Sequence, residues 1–322
     1  MKYAPVLIPT LNRYSHFKKC IESLSQCVWA NNTDVFVAVD YPVKEEHWDG
    51  YRKIKKYLEQ STFGFNSLNV TYRETNYFYS EKGNLRTLME DVFKSYDRII
   101  VSEDDNIFSP NFLIYMNRGL ELFECDDSVF SINGYIPPLR IKNSNNTFIR
   151  QNVDFYAWGY GIWKDRYLNY NRFFDSDGFY QSFCYKKFKM INKNGRYRLN
   201  MYLYLASHRK KHKKGDNNLS VYMAIHDMDV IMPTLSLVRN MGWDDSGIHC
   251  PTTNIELAKE ITNQEISGLD SFNFVGTGLE YYDYNKKVFS KNRERPIVTN
   301  YELVKNIIKF PIKRLVNKIV RF

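Results

Sequence analysis

The sequence predicts an α/β protein: a mixed, mainly parallel central sheet flanked by helices, with a helical appendage at the C-terminal end. Three observations carry this. Short apolar β-type runs alternate with amphipathic helical stretches over the first hundred-odd residues, the pattern of a right-handed, doubly wound sheet. Two of those runs stop abruptly in carboxylates, at Asp40 and at Glu103-Asp104-Asp105. No stretch reaches the roughly 18 apolar residues of a membrane-spanning helix.

The elements follow in order. Pro5-Val6-Leu7-Ile8 reads as the first strand, left through the turn Pro9-Thr10-Leu11-Asn12-Arg13. Phe17, Cys20, Ile21 and Leu24 then repeat at helical spacing. Asp34 to Val39 forms the second strand, and a Lys- and Tyr-rich helix over about 45–59 leads to a third near Leu68 to Arg73. Gly83-Asn84 opens a further helix, which returns the chain to Arg98-Ile99-Ile100-Val101 and its three acids. Ser109 and Pro110 look like an N-cap and first helical position, placing the acids in a tight strand-to-helix connection. Phe112, Tyr115, Met116 and Phe123 mark that helix, and Val129 to Gly134 a later strand. Leu219 to Ile225 reads as helix, Asp229 to Pro233 as a short strand, and Arg239 to His249 as a polar loop.

The chain has 322 residues, enough for one large domain or two smaller ones. Residues 1–250 read as the main domain, divided near 106, with an appendage over 251–300 and a basic tail over 301–322. A net charge of +9 favours an anionic partner. The 25 Tyr and 22 Phe supply stacking faces as well as core. Five scattered cysteines without a C-x-x-C pair fit a reducing compartment. The opening residues enter a strand with no apolar leader pattern, so a cytoplasmic location is expected.

In open α/β sheets, ligands bind at the carboxyl ends of the strands. Thr10, Asn12, Arg13, Asp40 and the acid triplet gather there. One reading is a divalent cation on Asp105, helped by Asp104 or Glu103, carrying substrate phosphates. The other is a solvated acidic turn that caps a helix. Neither G-x-G-x-x-G nor a P-loop is present, so a nucleotide would be held by base, ribose and metal. Further on, Phe155 to Trp163 sets aromatics between glycines, either as a stacking surface or as a buried turn. The basic run from His208 to Lys214 reads as a solvated loop, or as one that folds over a diphosphate. From Ile312 to Phe322 apolar and basic residues occupy opposite helical faces, which suits an anionic membrane surface or docking on the protein itself.

Val6 to Arg13, Asp40 and Ser102-Glu103-Asp104-Asp105-Asn106 together resemble a GT-A-fold glycosyltransferase of the family 2 type. The Glu-Asp-Asp motif and Met232-Pro233, Gly242 and Gly247-Ile248-His249 are similar to the N-acetylglucosaminyltransferase I group. The resemblance covers roughly residues 4–250. It implies a nucleotide-sugar donor, most often a UDP-sugar, and Mn²⁺ or Mg²⁺. It implies Asp105 at the metal and Asp104 at the ribose or donor sugar; His249, from the residues themselves, is a candidate second metal ligand or a donor near the leaving diphosphate, or else a structural histidine. Pro9, Thr10, Asn12, Arg13 and Asp40 would hold the nucleotide, and Trp158 and Gly159 a sugar. Asp216 would be the catalytic carboxylate, though Gly215-Asp216 departs from the family's Glu-Asp, which leaves Asp244 and Asp245 as alternatives. The activity implied is inverting transfer to a hydroxyl of a glycan or lipid-linked acceptor, in bacterial surface polysaccharide or lipopolysaccharide synthesis, peripheral on the inner membrane face. No nucleic acid is expected. Rival readings are a sugar nucleotidyltransferase, which would need a glycine-rich loop after strand one, and a non-catalytic polyanion- or membrane-binding protein.

Overall fold

The computed structural model describes residues 2–78, 83–138, 147–152, 155–176, 178–182, 184–193, 199, 201–203, 205, 216–247 and 255–274, with isolated positions 305, 308, 309 and 312. The first half builds β1 (Val6–Thr10), α1 (Tyr14–Ser25), β2 (Asp34–Val39), α2 (His47–Gln60), β3 (Ser67–Tyr72), α3 (Asn84–Val92) and β4 (Arg98–Val101). Their lateral order is β3-β2-β1-β4, all parallel. The helices divide by face. Phe17, Ile21 and Leu24 of α1 and Ile54 and Leu58 of α2 pack into one core, while Leu88, Met89 and Val92 of α3 pack into another on the opposite side. The chain therefore winds one way through β2 and β3, then crosses over to β4. The point of reversal lies between β1 and β4.

The second half continues with β5 (Asn106–Phe108), α4 (Phe112–Leu122), β6 (Val129–Asn133), β7 (Phe148–Gln151), β8 (Tyr160–Trp163), α5 (Lys164–Asp175), α6 (Gly178–Gln181) and α7 (Tyr185–Lys193). It closes with α8 (Asp216–His226), β9 (Asp229–Pro233), β10 (Val238–Asn240) and α9 (Ile255–Thr262). The large sheet extends as β4-β8-β6-β9-β7, in which β8 runs antiparallel to both neighbours and β6 pairs in parallel with β9. The class is thus a mixed α/β sheet, parallel in its first half and covered by helices on both faces.

Two expectations about the acids' neighbourhood are corrected. Ser109 and Pro110 do not open a helix. The acids run into β5, which pairs antiparallel with β10 in a separate ribbon, and α4 begins only at Phe112. Ser109 instead donates its hydroxyl to the Ser267 carbonyl at 2.5 Å, so a segment 158 residues away fixes that turn. In the expected polar loop from Arg239, the first residues belong to β10. From the expected appendage, α9 and the stretch to residue 274 are described, and Phe272 and Phe274 pack on Tyr115 of α4. The basic run His208 to Lys214, residues 275–300, and residues 313–322 of the tail lie outside the described residues.

Helix α4 lies against the sheet where three glycines clear its path. A Cβ on Gly134 would fall 2.5 Å from Phe112, one on Gly159 3.2 Å from the same ring, and one on Gly161 2.9 Å from Leu120. Interiors this close-packed resist extra volume, and overpacking costs about 1–3 kcal/mol. We expect Gly161→Ala to lose that much in chemical denaturation, while Gly268→Ala, with nothing within 4 Å of the added carbon, stays within about 0.5 kcal/mol. Equal stabilities for the two variants would contradict this packing account.

Candidate active site

The reversal between β1 and β4 leaves a crevice at the carboxyl ends of those strands, and the acid triplet stands in it. Asp104 and Asp105 are 6% and 5% exposed, so their charges are largely removed from water. Thr10, the last residue of β1, donates its hydroxyl to Asp104 Oδ2 at 2.8 Å. Arg13, the cap of α1, donates from Nη2 to Asp104 Oδ1 and from Nη1 to Asp105 Oδ2, the latter at 2.8 Å. One guanidinium thus spans both acids, with each nitrogen on a different carboxylate. The backbone carbonyl of Glu103 accepts from Ser102 Oγ at 2.8 Å and Cys20 Sγ at 3.5 Å.

The remaining oxygen of Asp105 belongs to the far half of the chain. Asn240, at the end of β10, donates from Nδ2 to Asp105 Oδ1 at 2.7 Å, and its own Oδ1 accepts the Gly242 amide at 3.0 Å. The Met241 amide donates to the Asp105 carbonyl at 2.9 Å. Residues 241–247 therefore press directly on the ion pair. A Cβ on Gly242 would lie 2.1 Å from Asp105 Oδ2 and 3.2 Å from Arg13 Nη1, and one on Gly247 3.3 Å from the same nitrogen. A clasp on α1 holds the loop down: His16 Nε2 lies 2.8 Å from Asp244 Oδ2 and 3.1 Å from Ser246 Oγ.

Burial pushes the Asp105 carboxyl above its ordinary value, with Arg13 pulling it back and Asp104 adding to the rise. Burial opposes the charge on Arg13, but the two carboxylates more than restore it and raise its pKa further. Asp244 moves the other way: although burial works against its charge, the Ser246 hydroxyl and amide and His16 hold its carboxyl below the usual range.

Other expected site residues sit on the same edge. Because β8 runs against β4, with Tyr160 opposite Val101, the residues before it arrive beside the acids. Trp158 packs edge-on to Tyr135 at 4.6 Å and to Trp243 of the loop at 6.4 Å. The buried indole N–H of Trp243 has no partner among the described residues. Gly159 has φ +71 and packs on Val238 and Phe112, so its lack of a side chain answers to backbone conformation and packing. Pro9 lies within β1, and the Asn12 carbonyl faces Gly50 of α2, whose Cβ would come within 1.8 Å of it. Asp40, 3% exposed, spends both oxygens on backbone: Oδ1 accepts the Tyr41 and Tyr77 amides at 2.9 and 2.7 Å, and Oδ2 the Phe78 amide at 2.9 Å. It fastens the turn after β3 to the end of β2.

Asp216 is the first residue of α8. Helix α8 passes into β9 through two residues, and β9 runs parallel to β6 and hence to β4. A helix packed on the sheet and joined so tightly runs back against its strand. Its N-terminus therefore faces the edge that bears the acids. His249 lies outside the described residues. Sequence reasoning placed Asn240 and Trp243 in a loop able to complete a site without giving either a role; it missed His16, and it gave Arg13 to the nucleotide without seeing its grip on the acids.

Among the described residues, no group of three or more His, Cys, Asp or Glu side chains forms a metal cage. A divalent cation here would rest on one or two carboxylates and take its other ligands from phosphate and water. That is the usual arrangement for Mg²⁺ with a phosphate substrate. The donor set is hard oxygen, and Arg13 already shows that two of these oxygens converge on one positive group.

No family model matches the chain, and no curated protein matches it. Solved structures with partial likeness include TarS of S. aureus, 15% identical, with 46% of this chain on 24% of that one at a TM-score of 0.29. Residues 1–349 of TarS match at 12% identity, with 83% of this chain on 67% of that one and a TM-score of 0.40. The mannosyltransferase PcManGT of Pyrobaculum calidifontis, solved with GDP-Man and Mn²⁺, matches at 12%, 51% on 45%, and 0.34. The chain spans about a quarter of the full TarS and under half of the mannosyltransferase. Likeness this slight carries no argument about activity.

The raised Asp105 carboxyl has a measurable sign. Its folded pKa exceeds its unfolded value, so the native state holds the proton longer. The stability it contributes is present below about pH 4, the unfolded value, and is lost as pH rises through the folded one. Asp105→Asn removes that term, so the stability of the variant relative to the wild type should climb from about pH 4 upward. Urea midpoints measured across pH test it, and a constant difference would refute the assignment.

Proposed function

We propose that the chain is a metal-dependent glycosyltransferase of GT-A type, which moves a sugar from a nucleotide-sugar donor, a UDP-sugar above all, to an acceptor hydroxyl. The observation that carries this reading is the pair Asp104 and Asp105, nearly buried at the crossover between β1 and β4. Adjacent buried acids are costly, and a cleft carboxyl that burial raises above its ordinary value beside a charged partner, as at Asp105, is a functional candidate. At a switch point of an open α/β sheet they stand where a nucleotide's phosphates are received.

Asp105 would hold Mn²⁺ or Mg²⁺, with His249 as a further ligand from the sequence pattern. The bound cation would supply Lewis-acid neutralisation of the departing diphosphate. Asp104, oriented by Thr10, faces the ribose or donor sugar, and Asn12, Pro9 and Asp40 border the nucleoside. Trp158 and the indole N–H of Trp243 offer a stacking face and a donor to a sugar ring. Asp216 takes the proton of the acceptor hydroxyl as its oxygen attacks the anomeric carbon and the bond to diphosphate breaks. That is one displacement with inversion; Asp244, already tied to His16 and Ser246, is less free to act as base. A glycan or lipid-linked acceptor, in bacterial surface polysaccharide synthesis, is the context we favour. The basic amphipathic pattern of the C-terminal residues supports contact with an anionic membrane from the cytoplasmic side.

Purified protein should bind UDP in a Mn²⁺-dependent manner by calorimetry, and Asp105→Asn should abolish that dependence. Metal-independent UDP binding by both forms would remove the cation from the reading. Asp216→Asn should keep donor binding and lose about 10²-fold or more in transfer; normal turnover would move the base elsewhere. Removal of residues 311–322 should weaken binding to anionic vesicles.

A further inference from the structure

Arg13 is held by the two acids that a cation would need. Its Nη1 stands 2.8 Å from Asp105 Oδ2, while a Mg²⁺-sized ion sits about 2.0–2.1 Å from a ligating oxygen. A cation on that oxygen and the guanidinium nitrogen cannot share this approach, and their like charges repel across a site with little water to screen them. Room is short as well, because Gly242 and Gly247 of the loop close over the same nitrogen and oxygen. The acids' side chains are 8% and 6% exposed, while that of Arg13 is 20% exposed. The arginine is the member of the trio with a way out.

We propose that Arg13 is an internal competitor that occupies the cation position in the donor-free protein, so that divalent cation and nucleotide diphosphate bind cooperatively. This rests on the reading of Asp105 as the cation ligand. A cation arriving alone at Asp105 must break the Nη1 contact of Arg13 and then stand beside a guanidinium that Asp104 still holds in place. A cation arriving with a diphosphate offers the displaced guanidinium a bidentate phosphate acceptor in exchange. Cation binding without nucleotide is therefore penalised, and binding with nucleotide is not. Reciprocity follows, since whatever UDP does for Mn²⁺ affinity, Mn²⁺ must do for UDP.

The test is Mn²⁺ binding followed by the loss of the free-ion paramagnetic resonance signal, with and without UDP, in wild type, Arg13→Lys and Arg13→Gln. If the pair favours the closed form by about ten to one, apparent Mn²⁺ affinity is lowered about tenfold. Without UDP, Arg13→Gln should bind Mn²⁺ about tenfold more tightly than wild type. Arg13→Lys, which cannot fork onto two carboxylates, should fall between. UDP should tighten Mn²⁺ binding in wild type and do so less in Arg13→Gln. Should the Gln variant fail to fold, Arg13→Lys decides alone, with tighter binding than wild type expected. If the folded variants bind Mn²⁺ no more tightly than wild type while UDP still needs the metal, the competitor role is overturned and the metal reading stands. If neither wild type nor variant takes up Mn²⁺ with or without UDP, both are overturned.

Discussion

The fold depends on a charge problem solved in one place. Two consecutive carboxylates, Asp104 and Asp105, are almost fully buried at the end of β4, and removing one partner from a buried ion pair typically costs about 3–5 kcal/mol. Arg13 is the group that meets both. For it to do so, β1 must lie directly beside β4, α1 must start at Tyr14, and the connecting turn must be pinned. Gly50 provides the pin by letting α2 press onto the Asn12 carbonyl. Sheet order, helix start and a glycine two elements away all serve the position of one guanidinium.

Among the described residues, two carboxylates meet a single arginine, and Thr10 and Asn240 occupy other oxygens with neutral donors. Burial, and the neighbouring Asp104 charge with it, push Asp105 toward its protonated form. A site in that condition is satisfied enough to fold and unsatisfied enough to gain from further positive charge. The loop at residues 241–247 fits the same logic. It joins the acids through Asn240 and α1 through His16, so whatever moves Arg13 is felt on both sides of the crevice.

The strands and helices of the first half were readable because their signals are local. Apolar runs marked β1 to β4, and Phe17, Cys20, Ile21 and Leu24, spaced at helical intervals, are all buried in α1. The sequence places the start of α4 too early because Ser109, whose hydroxyl accepts the Asn111 amide, donates it to Ser267 in a turn that precedes the helix at Phe112. The ribbon of β5 and β10 escaped for the same reason: its partners lie 130 or more residues apart, and three residues carry no period. In the site, acid spacing pointed to Asp105, yet no local pattern announces that Arg13 rather than a nucleotide meets it. The positive φ of Gly159 and the Phe112 ring against it are tertiary features that its neighbours in the sequence do not announce. Asp40 ends its strand as expected, but its two oxygens go to backbone amides that follow β3.

The antiparallel placement of β8 beside β4 has a consequence for how such a protein changes over time. Acid pair and aromatic wall are brought together by register, Val101 opposite Tyr160, and not by a shared loop. Between β6 and β8, the residues on either side of β7 can change while Ile100 and Val101 keep their pairing with β1. The aromatic side of the crevice is thereby separable from the acid side. A lineage, or a designer, can vary that stretch without reopening the electrostatic compromise at the end of β4.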